Sequence, residues 1–112
     1  MPVTAANTAY NAGQWANTNE VSEAGQWAAG GVALTGFGVT RAAGVVTFDA
    51  DDTASGSAAD LANVYGVLVY DNAATTVADQ GISYHYLGGA NSVVNGTFTV
   101  VWNASGLFTI TV

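Results

Sequence analysis

A chain of 112 residues is one domain's worth of sequence, able to bury roughly two-thirds of its unfolded surface without staples. It has no cysteine, which excludes disulfides, thiolate metal sites and thiol nucleophiles together. Arg41 is its only lysine or arginine against eight acidic residues, for a formal charge of −7, and one arginine cannot supply the counterion release that nucleic-acid binding or an anionic membrane requires.

Half of the residues are hydrophobic, yet no run reaches the ~18 to 20 apolar residues of a membrane-spanning helix, and the first residues lack a basic-plus-apolar leader. The expectation is a soluble, unprocessed chain. Only 8% of its residues are charged, against about a quarter in typical soluble domains. Such a composition suits a subunit whose surface is largely covered by neighbours.

Residues 1–30 carry no sustained period of 2 or 3.6 and contain the near repeat Ala12-Gly-Gln-Trp-Ala and Ala24-Gly-Gln-Trp-Ala. Two copies are too few for a solenoid. The segment reads as an extended N-terminal arm. Its aromatics Tyr10, Trp15 and Trp27 have no local core, so they must be buried against the rest of the chain or against a partner; partner contact is the expectation.

From residue 31 onward, runs rich in Val, Thr, Tyr and Phe alternate with Gly, Asn, Asp and Ser clusters, the pattern of an all-β domain over 31–112. Strands are expected near 31–40, 44–49, 64–71, 80–87, 94–102 and 106–112. Turns are expected at Arg41–Gly44, Gly88–Ser92 and Asn103–Gly106, where glycine supplies positive φ. In the last strand Phe108, Ile110 and Val112 oppose Leu107, Thr109 and Thr111, and one side of a terminal hairpin with 94–102 is expected to line the core. Residues 53–63 are small and polar and read as the long loop between sheets. Six short antiparallel strands pack most naturally as a small antiparallel β-sandwich.

Asp49, Asp51, Thr53, Ser55, Ser57 and Asp60 match the ligand spacing of an EF-hand loop, but Ala54 stands where the sharp turn wants glycine and Asp60 where a bidentate glutamate belongs. A looser oxygen cluster of Asp49, Asp51 and Asp52 is the residual cation candidate, set against a solvated turn-forming loop. His85 is the sole histidine, between Tyr84 and Tyr86, whose side chains point to the opposite face of a strand. A structural role fits it better than a metal or general-base role. Ser55 and Ser105 lack the Gly-x-Ser-x-Gly context of a nucleophile elbow. Asn95-Gly-Thr97 and Asn103-Ala-Ser105 fit the glycosylation pattern but are explained as turn formers. Trp102, Tyr65, Tyr70, Tyr84 and Tyr86, with the arm aromatics, could stack on sugar rings, although core packing is the default for strand aromatics. No residue pattern calls for a cofactor or a catalytic role.

Four stretches carry a resemblance: Asn19–Gly36 (NEVSEAGQWAAGGVALTG), Val46–Asp52 (VTFDADD between 46 and 52), Tyr86–Gly89 (YLGG) and Asn95–Val112 (NGTFTVVWNASGLFTITV). Together they resemble a family of small tailed-bacteriophage virion structural proteins. The resemblance implies a capsid decoration, or cement, subunit that binds the major capsid protein as a dimer or trimer, located in the virion after assembly in the host cytoplasm. Alternatives are a tail- or fibre-associated virion subunit and a carbohydrate-binding surface module.

Overall fold

The computed structural model describes residues 1–3, 10–11, 14–15, 20–76 and 78–111, with the backbone alone at 3, 10, 11, 14 and 15. Among them there is no helix, and every strand pairing is antiparallel. The strands are β1 (Pro2–Val3), β2 (Tyr10–Asn11), β3 (Gln14–Trp15), β4 (Gly38–Ala42), β5 (Val45–Asp49), β6 (Thr53–Ala54), β7 (Ala59–Asp71), β8 (Gln80–Gly96), β9 (Thr99–Val100) and β10 (Phe108–Thr111). They form three sheets, ordered β1-β7-β8-β3-β2, β10-β5-β4 and β6-β9.

The long hairpin of β7 and β8 is the spine. Its register slips between Ala59 and Leu61, Leu61 and Val64, Val64 and Gly66, and again between Val69 and Tyr70. Such bulges bend a strand without ending it. They let β8 run through Gly88–Ser92, where a turn is expected from the sequence, and they let β7 begin at Ala59 inside the expected loop. The side-chain amide of Asn91 bridges this region, donating to the Gly89 carbonyl at 2.9 Å and to the Val64 carbonyl at 3.3 Å.

One core cluster forms on this hairpin from Trp27, Ala59, Leu61, Val64, Val67 and Val100, with Val21, Leu87, Val93, Phe98 and Trp102 packed around it. Trp27 is delivered by a tight turn. The Glu23 amide donates to the Trp27 carbonyl at 2.8 Å and the Trp27 amide to the Glu23 carbonyl at 2.9 Å, with Gly25 at φ +80° between them. The turn is tied to the start of β7, since the Glu23 carboxylate accepts the Asp60 amide at 2.6 Å and the Gln26 carbonyl accepts the Gly56 amide at 3.0 Å.

The described parts of residues 1–30 are therefore joined to the body. Pro2 pairs with Val67 and Val3 with Gly66, and residues 20–28 supply core. The physical reason is that Val21 and Trp27 complete the apolar cover which the curved β7–β8 hairpin lacks on its own.

The terminal hairpin expected from 94–102 and 106–112 does not form. β10 pairs with β5 instead, Phe108 with Phe48 and Ile110 with Val46, while β9 pairs with β6. Two contacts redirect the chain: the Trp102 amide donates to the Asp52 carboxylate at 3.0 Å, and the Leu107 amide to the Phe48 carbonyl at 2.7 Å. Gly106 is required at that crossing, because a Cβ there would sit 2.5 Å from the Phe48 carbonyl oxygen and its φ is +98°.

Candidate interaction surface

The β10-β5-β4 sheet is sharply two-faced. Registers Val39–Phe48–Phe108 and Arg41–Val46–Ile110 place these six side chains on one face, with Phe37 continuing the row; Thr40–Thr47–Thr109 and Ala42–Val45–Thr111 occupy the other. Phe48 and Phe108 stack with ring centroids 4.4 Å apart, and Phe37 lies 6.5 Å from Phe48. An apolar face of this kind ordinarily packs on a core.

Here it does not. No residue of β4, β5 or β10 is buried, and Phe37, Val39 and Ile110 are 56%, 53% and 53% exposed. The sheet's only charged side chains are Arg41 on the apolar face and Asp49 on the threonine face, next to Gly38. A three-stranded sheet needs a covered apolar face for independent stability. This one keeps its hydrophobic side turned outward.

Phe37 also lines a cavity of about 440 Å³ between the 30–37 segment and the β7–β8 hairpin. Trp27, Val67, Val100 and Trp102 line it, together with the more exposed Val32 and Ile82. Its polar end holds Tyr70, whose hydroxyl donates to the Gly30 carbonyl, and Asp71. Burial raises the Tyr70 pKa, with Asp79 and Glu20 pushing the same way. The Met1 amine, donating to the Leu68 carbonyl at 2.8 Å, is lowered to about 6 by burial despite the opposing pull of Glu20. The apolar sheet face and this cavity thus meet at Phe37.

The residues singled out in the sequence fall in different places. Trp27 corrects its expected role as a partner anchor: at 2% exposure, edge-on to Phe98 with centroids 6.4 Å apart, it belongs to the chain's own core. The backbones of Tyr10 and Trp15 pair with each other in β2 and β3, and their side chains lie outside the described residues.

Asp49, Asp51 and Asp52 do not converge on one point. Asp49 accepts the Ala50 amide, Asp51 accepts the Thr35 hydroxyl, and Asp52 accepts the Trp102 amide. Among the described residues no group of three or more His, Asp or Glu side chains is gathered as a metal site would need. Each aspartate closes a turn or crossing, as short polar side chains do in loops.

His85 Nε2 lies 2.9 Å from the Ser83 hydroxyl, and its ring meets Trp102 edge-on at 5.1 Å. Burial lowers its pKa, favouring the neutral ring. The Ser83 contact follows from the i, i+2 rule for strands, a signal present in the sequence. With no carboxylate bonded to the ring among the described residues, the pair satisfies a half-buried polar group and does not assemble a triad.

The apolar row, by contrast, is not visible in any one strand. It needs the pairing of β10 with β5 to bring Phe108 and Ile110 beside Phe48 and Val46. Compared with protein-family models, curated proteins and solved structures, the chain matches none of them.

Proposed function

We propose that this protein is a virion structural subunit that attaches to a coat-protein shell through the apolar face of its three-stranded sheet and stabilises the shell by adding interface, as a capsid decoration protein does. The observation that carries the reading is that uncovered face. Phe37, Val39 and Ile110 are exposed and, with the half-buried Phe48 and Phe108 between them, make a contiguous hydrophobic surface on a chain of which only 8% of residues are charged. On this reading the second layer of a β-sandwich over that face is supplied by the major capsid protein, and Tyr10 and Trp15, on β2 and β3 at the edge of the five-stranded sheet, add contact to the same partner. Catalysis has no part in the role, and the site of action is the assembled particle.

Magnitudes fit a docking role. Three strands about 4.8 Å apart and five residues at about 3.4 Å each outline roughly 250 Å² of flat sheet. A stable interface needs about 800 Å² per partner. The sheet face alone falls short, so the contact must extend past Phe37 onto the neighbouring cavity mouth, or come from more than one copy.

The test is co-sedimentation of the purified protein with coat-protein shells of its parent particle, followed by heat challenge of the decorated shells. Saturable binding with raised heat tolerance supports the reading. Absence of binding overturns it and turns attention to tail or fibre surfaces.

A further inference from the structure

We propose that β4 is the site at which a second copy of this chain adds, edge to edge, so that two three-stranded sheets become one six-stranded sheet with a single continuous apolar face. β4 is an outer strand: it pairs with β5 on one side, and among the described residues nothing pairs with its other edge. All five of its residues are exposed. It contains no proline or bulge, the devices that protect natural edges, and its one charge is Arg41.

Its hairpin fixes which backbone groups are free. Ala42 and Val45 flank a two-residue turn whose central residues, Ala43 and Gly44, have φ of +49° and +79°. In such a turn the flanking residues exchange both backbone hydrogen bonds. By alternation Gly38, Thr40 and Ala42 bond inward to β5, so Val39 and Arg41 present their N–H and C=O groups outward. Four hydrogen-bonding groups therefore stand unused on this edge.

One antiparallel register uses all of them. Centring the two-fold axis on Thr40 sets Val39 of one copy against Arg41 of the other, twice over, and overlaps the whole of both strands. Thr40 then faces its own counterpart on the threonine side, a favourable cross-strand pair. On the apolar side each arginine lies opposite a valine and diagonal to the other copy's Phe37, within reach of a cation–π contact, while the two arginines are diagonal to each other and not directly opposite. Centring on Arg41 would oppose like charges, and centring on Val39 would leave part of each strand unpaired.

Charge selects the same edge. Two chains of net charge −7 repel, yet β4 carries no carboxylate, and the nearest one on its sheet, Asp49, lies a strand back from the joint. The pairing therefore strengthens with salt, whereas contact with a basic partner would weaken. Doubling the sheet also doubles the apolar face towards the area that stable docking needs. The inference is independent of what that face meets: a monomer that binds shells would leave the docking role intact and remove this one.

The experiment is sedimentation velocity on the full chain over a concentration series, with single-cysteine variants in a protein that has no cysteine of its own. Wild type is expected to pass from monomer to dimer and to shift towards dimer at high salt. Thr40→Cys is expected to form a disulfide-linked dimer under mild oxidation, because Cα atoms of a non-hydrogen-bonded cross-strand pair sit about 4.5 Å apart, inside disulfide range. Thr47→Cys, on the central strand, is expected to stay monomeric on non-reducing gels. Val39→Pro, which removes an outward N–H, is expected to abolish the dimer. A wild type that stays monomeric up to about 1 mM, the range of weak specific association, overturns the proposal. So does a dimer in which Thr47→Cys links as fast as Thr40→Cys; this comparison stands even if Val39→Pro does not fold.

Discussion

Replacing Trp27 with alanine separates core packing from partner anchoring. Trp27 is 2% exposed, contacts the cluster of Ala59, Leu61, Val64, Val67 and Val100, and meets Phe98 edge-on. Truncating a buried tryptophan to alanine costs about 3–5 kcal/mol, the transfer loss plus the cavity left behind. Domains of this size hold about 5–15 kcal/mol in all, so Trp27→Ala is expected to lose roughly a fifth or more of the total. Its indole N–H is buried without a partner among the described residues. Trp27→Phe should therefore recover part of the loss, because an unpaired buried donor costs about 1–3 kcal/mol and phenylalanine removes it. Urea unfolding followed by fluorescence of Trp15 and Trp102 measures both variants. A loss below about 1 kcal/mol for Trp27→Ala, within the ordinary scatter of exposed sites, would refute the core assignment and restore Trp27 as a surface anchor.

Other expectations are independent of that one. Ile110→Lys, at a half-exposed position of the apolar face, should change stability by less than about 0.5 kcal/mol in urea unfolding while removing shell binding. Gly106→Ala forces a Cβ to within 2.5 Å of the Phe48 carbonyl oxygen at a φ of +98°, and should cost about 1–3 kcal/mol by the same assay, with β10 the first strand to lose amide protection. Burial holds the folded-state pKa of His85 below its ordinary 6.5, so the neutral ring favours folding. Its contribution is complete above pH 6.5 and is lost as pH falls through the lowered value; His85→Gln should flatten that part of the stability profile. The Met1 amine, lowered from 8.0 to about 6, acts in the same direction but over the higher window between those values, which distinguishes the two slopes.

The sequence reveals the all-β class and the places where glycine and asparagine turn the chain. The Arg41–Gly44 turn is legible because two short strands of alternating character flank it, and it closes β4 on β5 as expected. The same logic fails at Gly88–Gly89. There the pair lies in a strand whose bulges absorb the extra residues, and bulges leave no periodic mark in one strand alone. The fate of Trp27 is equally hidden, since its burial depends on hydrogen bonds that Glu23 and Gln26 accept from the amides of Gly56, Ala58 and Asp60, contacts that sequence spacing does not encode. The apolar face is half-legible. Alternation in 107–112 separates Phe108 and Ile110 from the threonines, but such alternation points as readily to a core as to a docking surface. Pairing with β5, and the lack of a covering layer among the described residues, make the difference.

The central claim is that the apolar face of the three-stranded sheet is a docking surface, and hydroxyl-radical footprinting of the free and shell-bound protein tests it most directly. Phe37 and Ile110 are expected to react freely in the unbound chain, with the half-buried Phe48 and Phe108 reacting more slowly, and all four to become protected on the shell, while Tyr86 and Val94, exposed on β8, keep their reactivity and serve as internal controls. Protection centred on Tyr86 and Val94, with the phenylalanine row still reactive in the bound state, would contradict the account and move the docking surface to the β7–β8 hairpin.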